Sequence, residues 1–262
     1  MDIPRVLDLY DQQLRRDFRL KEPGVVVEYA EGITRVVGPG AEPHDNCVLY
    51  ARGAPGSADA LIAAQVEYFQ RLGHAFEWKH HAHDVPADLP ERLAKHGFIA
   101  EETEALLILE SQQTLPARAL EGIRIERVTE PARLFDINAI KAEVYPGEKP
   151  WIAQALGPEL EAAPEGLRVY IAYDGPRPVS AGWMRLHEGT AFASLWGGST
   201  LPSHRRRGIY QALVALRAEQ ARALGYQYLT VDAGPESRPI LERLGFRVAT
   251  LTTPFIWHGG RM

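Results

Sequence analysis

The sequence predicts an α/β (α+β) fold of two domains, each a mainly antiparallel central sheet flanked by helices. Three observations lead there. The chain repeats an order of elements: a helix from about Ala58 closes at Leu72-Gly73, and a strand Phe76–His80 follows. A short helix from about Ala87 to Lys95, then Gly97-Phe98 and a strand Ala105–Leu109, complete the first copy. The second half runs the same way, with a helix closing at Leu224-Gly225, a strand Tyr226–Asp232, a short helix ending at Leu244-Gly245-Phe246 and a strand Arg247–Thr252. Self-similarity of this kind reads as two copies of one half-fold. Next, strand-period and helix-period apolar patterns interleave along the chain. Last, Ser111–Arg118 is polar and contains proline, as boundaries between domains do. The expected division is residues 1–112, a linker at 113–121, and residues 122–262.

In the second half, Ile123–Val128 alternates as a half-buried strand, and Pro131 to about Tyr145 fits a helix. Lys149 to about Glu161 fits another, with Pro150 in its first turn. Leu167–Tyr173 and Pro178–Leu186 read as strands around a turn at Asp174-Gly-Pro-Arg-Pro. Ala191–Thr200 reads as a further strand, in which Gly197-Gly198 would ease a bulge. The helix beginning near Ile209 carries Ile209, Ala212, Leu213, Leu216, Ala223 and Leu224 as one apolar stripe, interrupted by Gln220.

The join between that strand and that helix is the most informative stretch: Pro202-Ser-His-Arg-Arg-Arg-Gly-Ile-Tyr210. A helix start presents free backbone N–H groups at the positive end of its dipole. Arginines placed there oppose the dipole and need a reason, which a bound anion supplies. Gly208 has no side chain, so a bulky anion can lie against the backbone. Together these features make a seat for a diphosphate.

This stretch with its flanks resembles the acetyl-CoA motif of the GNAT N-acetyltransferase superfamily, Arg/Gln-x-x-Gly-x-Gly/Ala, read here as Arg205-Arg206-Arg207-Gly208-Ile209-Tyr210 with Tyr210 in place of a small residue. Pro202 and the closing Leu244-Gly245-Phe246 also follow the family's pattern. The resemblance implies that Gly198, Ser199 and Thr200 pair with the pantetheine arm of acetyl-CoA, and that Arg205, Arg206, Arg207, Gly208, Ile209 and Tyr210 hold its pyrophosphate. It implies direct transfer of an acetyl group to the amine of a small molecule or peptide, with backbone amides polarising the thioester carbonyl. The family's catalytic groups do not carry over. Leu241 stands where a tyrosine acid is usual, Thr230 where a glutamate is frequent, and Ala233-Gly-Pro-Glu where an asparagine is often found. Asp232, at a strand end, is the remaining candidate for handling a proton, against the plainer reading of a turn cap. The missing tyrosine and glutamate also suit a non-catalytic acyl-CoA-binding or regulatory module. In the first half the corresponding turn, Tyr50–Ser57, holds Pro55 and a single arginine, so this copy is expected to be a degenerate GNAT domain without CoA.

Composition narrows the alternatives. Hydrophobic residues make up 45% and charged residues 24% of 262, as in a water-soluble globular chain. A net charge of -5 argues against nucleic acid as the main partner and makes the arginine cluster a local feature. An interaction patch for an acidic partner is the remaining reading of that cluster. The lone Cys47 excludes an internal disulfide, and neither an apolar leader nor a membrane span is evident, so a cytoplasmic monomer or homodimer is expected. His80-His81-x-His83-Asp84 has no further ligands at metal-site spacing, and no metal is expected. Trp151 and Trp196 could wall an acceptor pocket or fill a core; His187 and Glu188 read as a solvated turn; His204 adds a donor beside the arginines.

Overall fold

A computed structural model describes residues 1–20, 23–30, 32–54, 56–116, 120–147 and 151–259. Pro55, Lys149, Pro150 and linker residues 117–119 lie outside that set. The chain opens with α1 (Ile3–Tyr10), which starts there because the Asp2 carboxylate accepts a hydrogen bond from the Arg5 amide at 3.3 Å and Pro4 occupies the first turn. A π-helical turn, Asp11–Arg16, extends it. Then come β1 (Val26–Ala30), β2 (Ile33–Val37), β3 (Asn46–Ala51), α2 (Ala58–Leu72), β4 (Phe76–His81), α3 (Leu89–Lys95), β5 (Ile99–Ala100) and β6 (Glu104–Glu110). The second half contains β7 (Ile123–Val128), α4 (Phe135–Val144), α5 (Ile152–Ala162), β8 (Leu167–Asp174), β9 (Arg177–Leu186), β10 (Phe192–Thr200), α6 (Ile209–Ala223), β11 (Tyr228–Ala233), α7 (Arg238–Arg243) and β12 (Arg247–Trp257). Among the described residues no helix is long and apolar enough to cross a membrane.

The chain packs as two units. The first holds Met1–Leu107, Asp232–Pro239 and the segment beginning at Val248; the second holds Ile108–Val231 and Ile240–Arg247. Strands of the first unit run β1-β2-β3-β4-β12, with β5 also on β12. All these pairs are antiparallel except β3 with β4. Its core joins Ile62 and Phe69 of α2, Phe76 and Trp78 of β4, and Phe255 and Trp257 of β12. Strands of the second unit run β11-β10-β9-β8-β7, antiparallel except β10 with β11. In β8 every residue from Leu167 to Tyr173 is buried, so helices cover both faces of the sheet there. These units differ from a division at residues 113–121, because β12 pairs with β4 at six positions, Thr252↔His81 to Trp257↔Phe76.

The buried stripe of α6 also departs from the expected one. It consists of Ile209, Leu213, Val214, Arg217, Ala218 and Ala221, whereas Ala223 and Leu224 are exposed. Arg217 lies four residues after Leu213, on the face that enters the core. A search for apolar residues alone passes over it and follows Ala223 and Leu224 around the helix end instead.

Candidate functional site

The site begins where two parallel strands part. β10 and β11 pair at Phe192↔Tyr228, Ala193↔Leu229 and Ser194↔Thr230, after which β10 continues to Thr200 on β9 alone. Along β9 its register jumps from Trp196↔Trp183 to Ser199↔Ala181, so that Gly197 and Gly198 stand opposite the single residue Gly182. This is the bulge that Gly197-Gly198 led us to expect. Gly197 has φ +62, and a Cβ there would overlap the Trp183 ring. A Cβ on Gly198 would lie 2.6 Å from Tyr210 Cε2, and one on Gly182 2.9 Å from Arg217 Nη1. Each missing side chain therefore admits a large one, and the bulge is packed rather than loose. Ser180 Oγ donates to the Ser199 carbonyl at 2.8 Å, while Ser199 Oγ and Trp183 Nε1 are buried without a hydrogen-bond partner.

Beyond Thr200 the chain makes a 3-10 turn, Pro202–His204, and then reverses through two left-handed residues. Arg206 has φ 63, and Gly208, which precedes α6, has φ 82 and ψ 4. A non-glycine residue in that region is uncommon and costs about 1 kcal/mol or more. No side chain caps α6, and its first helical bond is Ala212 N–H to the Gly208 carbonyl. The amides of Ile209, Tyr210 and Gln211 thus lack intrahelical partners at the positive end of a 15-residue helix.

The three arginines are not equivalent. Arg207 Nη1 donates to Asp174 Oδ2 at 3.0 Å, and the buried His204 places Nε2 3.2 Å from the same oxygen. The hydrogen bonds from Arg207 and then His204 hold the Asp174 carboxyl below its ordinary pKa. Among the described residues Arg205 reaches only the Thr200 carbonyl, at 3.4 Å, and the Arg206 side chain is exposed. Gly198, Ser199 and Thr200 thus close β10, and Arg205–Tyr210 carry the chain from the following turn into α6.

Asp232 belongs to the first unit. Lys79 Nζ donates to its Oδ2 at 2.5 Å and Thr252 Oγ1 to its Oδ1 at 3.2 Å. Burial pulls the Lys79 pKa down, but Asp232, Tyr10 and Glu77 outweigh it and the net shift is upward. Burial and then Asp232 raise the Glu104 carboxyl. At the first unit's counterpart of the arginine turn, Asp59 stands in the first turn of α2, where its charge repels a phosphate; Arg92 and His96 engage it. In the histidine run, His83 and Asp84 are likewise engaged. His83 lies 2.8 Å from Asp11, and Asp84 takes hydrogen bonds from Arg15 and from the His81 amide.

Two expectations need correction. Trp151 and Trp196 are not core residues, being 57% and 41% exposed. His187 is not a solvated turn residue: it is half-buried, with Nε2 2.8 Å from Ser194 Oγ. Trp196 Nε1 donates to that oxygen at 2.7 Å, which leaves the serine proton for His187. Arg185 lies over the Trp196 ring at 5.2 Å and pairs with the buried Glu159 at 2.7 Å. Burial, helped by Arg185, pushes the His187 pKa down to about 4 from 6.5. An unfolded histidine keeps the higher value, so the unfolded chain takes up protons first as pH falls, and stability is lost between those two values. His187→Gln should flatten the dependence of melting temperature on pH in that window. The slope should shrink rather than vanish, because His80 and His81 are also depressed by burial. An unchanged slope refutes the neutral, half-buried imidazole.

A splayed, bulged strand thus leads into an uncapped, arginine-flanked helix start. Residues 134–246 match the model of the Acetyltransferase (GNAT) family, and this part of the chain is a GNAT domain. The comparison with curated proteins gives no match. Among solved structures, the chain is similar to a GCN5-related N-acetyltransferase from Kribbella flavida (TM-score 0.73, 17% identity, 100% of this chain and 97% of that one). It also resembles one from Sphaerobacter thermophilus (0.63, 15%, 88% and 81%). A third likeness is to a tandem GNAT protein from the clavulanic acid biosynthesis pathway (0.62, 13%, 99% and 95%). At these identities the likeness establishes the fold, two GNAT-like domains over the length of the chain.

Proposed function

We propose that the protein is an N-acetyltransferase whose second unit binds acetyl-CoA and passes the acetyl group directly to a small-molecule or peptide amine. The observation that carries this reading is the pair of left-handed residues, Arg206 and Gly208, at the mouth of an uncapped helix. They fit a diphosphate by the chemistry of free amides and two available guanidinium groups, those of Arg205 and Arg206. The partnerless Ser199 hydroxyl supports a ligand along the end of β10. Gly198, Ser199 and Thr200 would hold the pantetheine arm, and Arg205–Tyr210 the pyrophosphate. The thioester supplies an acyl group activated for attack by an uncharged amine. Ser194, oriented by Trp196 and by the neutral His187, offers a polar contact where β10 and β11 part. We retain residues 1–112 and 122–262 as the two copies of the repeat.

Calorimetry with acetyl-CoA tests the reading, and absence of binding heat ends it. Removing both available guanidinium groups in an Arg205→Ala/Arg206→Ala variant should weaken binding about tenfold or more per lost contact. It should also reduce the dependence of affinity on salt. A second reading, an acyl-CoA-binding or regulatory module without turnover, is favoured by Leu241, which is fully buried and offers no hydroxyl, and by the engagement of both Asp232 oxygens. Release of free thiol from acetyl-CoA in the presence of an amine panel excludes it.

A further inference from the structure

Arg217 is the one residue of the α6 stripe whose presence in a core needs explaining. It is 1% exposed. Its Nε donates to the Leu213 carbonyl at 3.0 Å, and its Nη1 to the carbonyls of Trp183 at 2.9 Å and Trp196 at 3.3 Å. Among the described residues no carboxylate pairs with it, and the ionisable groups that bear on it are Tyr210 and Tyr170. Burial lowers its pKa to about 10, so the group stays charged at neutral pH. A buried cation with only dipoles around it carries a desolvation cost that a hydrophobic residue of similar volume would avoid. Its location is equally specific. Trp183 and Trp196 are the last regular pair before the bulge, Gly182 opposes the bulge and makes room for the guanidinium, and the Tyr210 ring fills the space beside Gly198. Arg217 therefore ties both strands at the point where β10 leaves its regular ladder.

We propose that Arg217 is a positioning residue of the transfer site: its guanidinium fixes the Gly197–Gly198 bulge, and its uncompensated charge behind β10 favours negative charge on a thiol held along that strand. The inference rests on the coenzyme A reading above. The proton lost from the thiol goes to solvent; during transfer, the same field would favour the electron pair left on sulfur when the carbon–sulfur bond breaks. A fixed charge in a site of low dielectric acts far more strongly than in water.

The test uses free coenzyme A and the full chain, with thiolate absorbance followed against pH. Bound to the native protein, the thiol should ionise at a pH about one below that of free coenzyme A, giving roughly tenfold more thiolate near neutrality. Arg217→Met should return the thiol to its free value, whereas Arg217→Lys, which keeps the charge but not the forked hydrogen bonds, should retain most of the change while weakening affinity for desulfo-coenzyme A. A purely structural arginine would alter affinity and melting temperature without moving the thiol. Should Arg217→Met fail to fold, the native titration and Arg217→Lys still decide. Bound coenzyme A that ionises like the free thiol overturns this inference and leaves the transferase reading standing; no binding at all overturns the transferase reading itself.

Discussion

Replacing Gly208 by valine is expected to abolish measurable acetyl-CoA binding, a loss of at least about a hundredfold. Gly208 sits at φ 82 and ψ 4 immediately before α6. A β-branched residue there pays about 1–2 kcal/mol or more, because its Cβ collides with its own backbone. The turn relieves that strain by re-forming with negative φ, which swings the neighbouring amides away from a common point. The added isopropyl group would also stand at the mouth of the helix. The fold should survive, with a drop in melting temperature of several degrees. Gly208→Asn is the control, since asparagine tolerates the left-handed region and should keep part of the affinity. Calorimetry with both variants distinguishes the backbone cradle from a mere cluster of positive charge. Native affinity in Gly208→Val would show that these amides do not hold the ligand.

Lys79→Met should be strongly destabilising to the first unit. It leaves Asp232 without its counter-ion, beside Glu104, whose carboxyl already feels that charge. Breaking a fully buried pair costs about 3–5 kcal/mol; with the two side chains 20% and 18% exposed, about 3 kcal/mol is expected. In a chain of this length that corresponds to a fall in melting temperature of roughly 6–12 °C. Lys79→Met combined with Asp232→Leu should recover most of it, because both charges are then gone. A double variant no more stable than Lys79→Met would mean that Asp232 contributes something other than its partnership with Lys79. Conversely, Asp232→Asn that retains stability but loses thiol release would support this residue as a proton-handling group.

Much of this molecule can be read from its residues, and the parts that cannot share a reason. The repeat was legible because Leu-Gly and Gly-Phe close helices at equivalent places, and α2, β4, α3 and β6 all form where those signals put them. The turn was legible because three arginines and a glycine before an apolar helical period leave few other uses. The strands β1, β2 and β3 were missed, since turn chemistry crowds residues 21–45 and masks short alternating runs. The packing of the bulge was half legible. Gly197-Gly198 announces a bulge, but nothing local tells which distant side chain each glycine admits. Trp183, Tyr210 and Arg217 come from three elements and meet only after the sheet has formed. The signal for Arg217 was present as a charged residue on the buried period of α6. His187 escaped because its partner, Ser194, lies across a hairpin and reads as an ordinary strand residue.

The strand that begins near Val248 completes the first unit although it follows the second half in the chain. During synthesis the leading half must therefore wait, one row of its ladder vacant, until the whole second half has left the ribosome. A descendant that shed its trailing copy would lose the closing piece of the leading one as well. Two GNAT-like halves are in this way bound to a common fate, and neither can be shed without cost to the other.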